Sequence, residues 1–170
     1  MDIKKTLLAV LVLVGIVSNS QAETPWERFT VRPTSENARA VREMEYSDKT
    51  IDLQRIEYDL MLLEVQVTAS DPEAVDLAFR ILEKSNSHVA ELLDEMIGRL
   101  IRINPRLFLR AAQRHRAVVD GWLVGNFGEA YVDREIAHAY ERDKRVGALL
   151  TVKETALAQV RDECIKLLQQ

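Results

Sequence analysis

His88, His115 and His138 are the side chains in this sequence best suited to moving protons or holding a metal. His138 follows Glu135 in a Glu-x-x-His arrangement, which on a helix presents both side chains to one ion, the device that bundle-core metal sites use in pairs. A second pair is missing, because neither of the other histidines has an acid three residues before it. A helical wheel puts Val132, Ile136, Ala139 and Tyr140 inward and leaves His138 outside on a solvated face, so neither a metal nor any other cofactor is expected. His115 shares a stripe with Phe108, Ala112 and Val119 and reads as a core or boundary histidine hydrogen-bonded to a neighbour. His88 falls in the first turn of a helix, where the positive dipole end favours neutral imidazole.

Carboxylates come next. Glu91, Asp94 and Glu95 would serve acid–base hydrolysis of a glycan if two of them converged on one bond. Neighbours on a helix point about 100° apart, however, and charges on the outer face of an amphipathic helix need no catalytic reason. Nucleophile elbows of the Gly-x-Ser-x-Gly type, phosphate-cradling glycine loops, His-Glu-x-x-His and Cys-x-x-Cys are all missing. No catalytic residue is therefore assigned. Cys164, the single cysteine, shares a face with Leu157, Val160 and Leu168 and reads as a buried small hydrophobe, with an intermolecular disulfide as the sharper alternative.

Residues that could bind rather than react are easier to find. Gly121 to Gly128 sets three glycines among bulky apolar residues, and its Trp122 and Phe127 either plug the core between helices or anchor a ligand pocket or partner surface. Arg110, Arg114 and Arg116, following Arg99, Arg102 and Arg106, concentrate positive charge where an anionic partner surface could dock. The same charge is open to neutralisation by Glu91, Asp94 and Glu95. With a net charge of −4 and basic residues interleaved with acids, the chain lacks the basic face of a nucleic-acid binder.

Several elements must position these residues. Lys4 and Lys5 precede an apolar run from Leu7 to Val17, and a polar stretch ends in Ser20 and Ala22, the pattern of a secretory signal cleaved after residue 22. The expectation is a periplasmic or secreted protein with no membrane segment left after cleavage. Residues 23–33 hold Pro25, Trp26, Phe29 and Pro33 without a period and are expected to be an extended lead-in. From residue 34 to 170 the spacing predicts one all-helical domain: helices over 34–46, from Ser47 or Asp48 with Leu53, Ile56, Leu60, Leu63 and Val67 on one stripe, from Pro72 to Leu82, from Ser87 to Ile103, and from Pro105 toward Val119. Two more are expected over 130–147 and from Thr151, capped with Glu154, to Leu168. Val65 to Thr68 is the one run with strand character.

Pro72 and Pro105 each open a helix after an apolar one. Asp71, Pro72, Val75, Ala78 and Leu82, partly echoed by Asn104, Pro105, Phe108 and Ala111, resemble the second helix of HEAT-type α-helical repeats over residues 50–118, although Asp76 stands where those repeats usually carry arginine. The resemblance implies helical hairpins stacked as a short α-solenoid, and an irregular helical bundle is the alternative. Architecture and compartment together lead to the expectation of a non-enzymatic protein-interaction module, an adaptor, inhibitor or immunity-type protein, whose contact residues are Trp122, Phe127, Arg110, Arg114 and Arg116. A small-ligand carrier or hydrolase with a pocket near Trp122 and Phe127 is the competing expectation.

Overall fold

A computed structural model describes residues 23–43, 57–85, 87–128 and 134–170. Every regular element among them is helical: α1 (Pro25–Val31), α2 (Ser35–Glu43), α3 (Glu57–Thr68), α4 (Pro72–Leu82), α5 (Ser87–Ile103), α6 (Pro105–Arg114), α7 (Gly121–Gly125), α8 (Glu135–Leu150) and α9 (Ala158–Leu168), with 3-10 turns at Arg116–Val118 and Thr155–Leu157. No helix among the described residues is long and apolar enough to cross a membrane. The export signal at residues 1–22, the helix start at Ser47 or Asp48, and Leu53 and Ile56 lie outside the described residues.

Capping chemistry sets most of the boundaries. Asp71 accepts from the backbone N–H groups of Glu73 and Ala74 at 3.0 and 2.9 Å, and Asn104 accepts from that of Leu107 at 3.1 Å, each just ahead of a proline in the first turn. Residues 23–33, expected to be extended, instead form α1. Thr24 and Glu27 make a reciprocal capping box around Pro25. Two turns are too few to show a period, yet they bury Trp26 and Phe29, and the Trp26 indole N–H donates to Asp59 at 3.0 Å.

Three other boundaries differ from expectation for reasons outside the local sequence. Val65 to Thr68 is the last turn of α3, because burial of Leu60, Leu63 and Val67 holds that segment as a helix. The helix expected to run toward Val119 stops at Arg114, where His115 caps it and turns its ring into two carboxylates. Thr151 closes α8 instead of opening the last helix, its hydroxyl donating to the Ala148 carbonyl, and α9 begins at Ala158. Glu154 is engaged by Arg106 and Arg110 and is not a capping residue.

The buried apolar side chains form one cluster. α3 lies along α5 and α4 along α6, so the two successive hairpins sit side by side, with α2 against α4 and α1 against α2. At the other end α9 packs on α7, α8 and α6, and α7 and α8 both pack on α5, leaving α5 at the centre of a helical bundle. Phe79 and Phe108, fully buried with ring centroids 6.1 Å apart, join α4 to α6, and each contributes on the order of 2–3 kcal/mol by leaving water. Cys164 is buried in the same core, and burial pushes its thiol up to about 12, the behaviour of an inert hydrophobe.

Candidate binding groove

Trp122 and Phe127 separate on folding. Leu123 and Val124 take the inner side of α7, whose N-terminus is capped by Asp120 accepting from the Leu123 N–H at 2.9 Å. Trp122, about 100° before Leu123 around the helix, has to face outward. It stays 72% exposed while Phe127 is buried, so the expectation of paired core plugs holds for Phe127 alone.

Between them opens a groove of about 670 Å³. Trp122, Phe127 and Gly128 form one wall, Arg134, His138 and Arg142 of the α8 side form the other, and Gly125, Asn126, Glu135 and Ala139 complete the lining. The loop under the first wall is pinned. Asn126 donates its side-chain amide to the Glu91 carbonyl at 3.2 Å and accepts from the Gly128 N–H at 2.9 Å. Gly128 adopts φ +86°, and a Cβ there would run into the Glu95 carboxylate, so only glycine closes this turn without strain.

α8 is folded inside out relative to its sequence pattern. Ile136 and Tyr140, expected inward, are 88% and 58% exposed, while Glu141 and Arg145 are buried. The reason is the end of α7. Its last carbonyls have no helical partner, and Arg145 donates to those of Val124 at 2.7 Å and Asn126 at 2.9 Å. The same guanidinium lies 4.5 Å from the Phe127 ring centroid, with the His138 ring edge-on to that phenyl at 4.3 Å. Glu141 answers the buried charge, 3.6 Å from Arg145 and 2.6 Å from Arg102. Gly98 of α5 makes room for this contact, since a Cβ would stand 2.7 Å from the Arg145 guanidinium and 2.8 Å from the Leu123 carbonyl. His138 is exposed as expected, yet it lines the groove instead of a plain solvated face.

The central arginines do not gather into a patch. Arg110 pairs with Glu154 at 3.4 Å, Arg114 with Asp76 at 2.6 Å, and Arg116 with Glu163. Of the acids expected to neutralise this cluster, only Glu95 does so, through Arg99. Asp76, which departs from the HEAT pattern, is the hub of a cluster. Its Oδ1 accepts from Arg114 at 2.6 and 2.8 Å and faces His115 Nε2 at 3.1 Å, and its Oδ2 accepts from Arg42 at 3.0 Å. His115 stacks on Phe79 and turns Nδ1 to Glu83 at 3.0 Å. Burial works against ionised Asp76, but hydrogen bonds from His115 and Arg114 hold its carboxyl well below the usual range. For His115, burial pulls its pKa down and the bonds to Asp76 and Glu83 outweigh it, so the imidazolium is favoured. All of Asp76's acceptor capacity is spent inside the fold. The hub therefore joins α2, α4 and α6 and leaves nothing for a substrate.

Asp94 behaves differently from its neighbours. Burial, then the charges of Asp120 and Glu91, push its carboxyl up to about 7. An acid whose folded pKa is raised keeps its proton while the unfolded chain gives one up. Stability therefore falls as pH rises from about 4 to about 7. Asp94→Asn is expected to remove that slope and to stabilise the protein by about 2 kcal/mol at pH 8, after allowing for partial solvent screening. Urea midpoints at pH 4 and pH 8 check it, and equal midpoint shifts at the two pH values would count against it. No group of three or more metal-ligating side chains occurs among the described residues, Glu135 and His138 included. Compared with family models, curated proteins and solved structures, the chain matches none.

Proposed function

We propose that the protein is an exported, non-enzymatic helical module that binds another protein, with the groove beside Trp122 as its working surface. The observation that carries this reading is the tryptophan itself, a large aromatic left 72% exposed on the rim of a groove of about 670 Å³. Interface hot spots are built from such anchors, and this one stands on the rim of a groove instead of alone on the surface. The signal-like residues 1–22 support a periplasmic or secreted location. The α3–α4 and α5–α6 hairpins are taken as the stacked units of a short solenoid that α7 to α9 close off. Arg110, Arg114 and Arg116 drop out as contact residues in this reading because each is committed to an internal acid. A small-ligand carrier is the second reading, favoured by a groove volume inside the usual range for small-molecule sites.

Trp122→Ala tests both. Truncating an exposed side chain is expected to change stability by less than about 0.5 kcal/mol. Retention of the protein's partner from its own cell envelope is expected to weaken roughly 30-fold, the equivalent of about 2 kcal/mol at a hot spot. One stoichiometric protein held by the wild type and lost by the variant supports the first reading. A co-purifying small molecule lost in its place supports the second, and an unchanged profile removes the groove from consideration.

A further inference from the structure

The groove's second wall carries a pattern that narrows the chemistry of its occupant. Arg134, His138 and Arg142 stand four residues apart along one edge of the α8 segment and all line the groove. At 1.5 Å of rise per residue they are spaced about 6 Å apart and span about 12 Å. An extended peptide places same-side side chains about 6.6 Å apart, close to this interval, and points the intervening ones to the opposite side. The opposite wall is aromatic: exposed Trp122, with Phe127 at the floor.

Charge selects the rest. Arg39, Arg42, Arg99, Arg102, Arg106, Arg110, Arg114 and Arg116 each pair with an acid, and Arg145 is engaged by two carbonyls and Glu141. Arg134 and Arg142 make no hydrogen bond or ion pair among the described residues. Glu135 is the one acid among the described lining residues, and it pairs with neither. In a chain of net charge −4, the groove thus presents two arginines without an acid among the described residues, a local positive charge complementary to an anionic ligand.

Resting on the reading of the groove as a protein-binding surface, we infer that it takes an extended peptide segment of the partner in which acidic residues alternate with apolar ones. The acids face Arg134, His138 and Arg142, and the apolar side chains face Trp122 and Phe127. A compact small anion is shorter than the roughly 12 Å of helix between Arg134 and Arg142, whereas an extended peptide spans it.

The test uses the processed full chain and three probes: the capped pentapeptide Asp-Leu-Asp-Phe-Asp, its amide counterpart Asn-Leu-Asn-Phe-Asn, and benzoate. Binding is followed by calorimetry and by tryptophan emission. The acidic peptide is expected to bind at least ten-fold tighter than the amide peptide, to lose that margin in the double variant Arg134→Ala, Arg142→Ala, and to weaken as salt is raised. Both arginines are solvent-accessible, so the double variant is expected to keep its circular dichroism spectrum and melting temperature. Equal binding of the acidic and amide peptides, or an unchanged preference in the double variant, overturns the inference. So does benzoate binding as tightly as the acidic peptide with the same arginine dependence, which makes the groove a small-anion site. Failure of the peptides while partner retention still depends on Trp122 sinks only the ligand chemistry, whereas loss of both sinks the groove reading as well.

Discussion

Asp76→Asn is expected to lower the stability of the protein by about 3 kcal/mol, a fall in melting temperature of roughly 10 °C for a domain of this size. The carboxylate is almost wholly buried and receives hydrogen bonds from Arg42 and Arg114 while facing His115. Asparagine keeps the shape, but its amide NH₂ has to face one of those cations, and three positive groups are left around a neutral residue. Removing one partner from a buried pair costs about 3–5 kcal/mol. The lower end applies because the Arg114 side chain is half exposed and water can recover part of its charge. A fall of less than about 1 kcal/mol by urea denaturation would show that the hub is ornamental.

The hub also carries a pH signature with two limits. Asp76, with its folded pKa depressed, contributes stability above the unfolded value of 3.8 that is lost as pH falls through the lower folded value. His115, with its folded pKa raised, contributes stability in full below the unfolded value of 6.5 that is lost as pH rises through the higher folded value. Asp76→Asn is therefore expected to cost most between about pH 4 and pH 6.5 and to flatten the profile on both sides of that window.

Arg145→Met is expected to cost a further class of buried polar contact, about 3–4 kcal/mol. Methionine fills a similar volume and brings no donor. The Val124 and Asn126 carbonyls at the end of α7 lose their partner at about 1–3 kcal/mol each, and Glu141 keeps only Arg102. The loss is expected to be local as well as global, because Arg145 ties α8 to the carbonyls at the end of α7 and lies over the Phe127 ring. Hydrogen exchange is the measurement that separates the two effects. Amides of α7 and the first turns of α8 are expected to lose protection well before those of α4 and α5. A uniform loss across the bundle would mean that Arg145 is merely one more buried side chain.

Helix identity was legible to the degree that it depended on neighbours in the chain. Asp71–Pro72 and Asn104–Pro105 each stop and start a helix through contacts within three residues, and α5 occupies the span from Ser87 to Ile103 that its apolar stripe predicted. The segment 23–33 departs from the extended lead-in its sequence suggests because a helix of two turns shows no period, although Thr24, Pro25 and Glu27 hold the signal in the form of a capping box. α8 departs from its pattern for a different reason. Its apolar residues are periodic, and a rule that turns apolar residues inward has no term for carbonyls presented by another helix.

The candidate site was legible in its aromatic half only. The glycine-bracketed Trp122 and Phe127 stood out by type, whereas Arg134, His138 and Arg142 became a wall once α8 was rotated by Arg145. Arg110, Arg114 and Arg116 looked like a patch because the acids that absorb them, Glu154, Asp76 and Glu163, are more than 35 residues away in sequence. What the order of amino acids determined alone was where most of the chain coils, which faces of those coils are apolar and where α4 and α6 are capped, since those energies come from groups within a turn or two of one another. Which face of α8 turns inward, which charges are spent inside the fold and which remain for a partner were decided by tertiary contact. Burial and ion pairing depend on atoms brought together from distant parts of the chain.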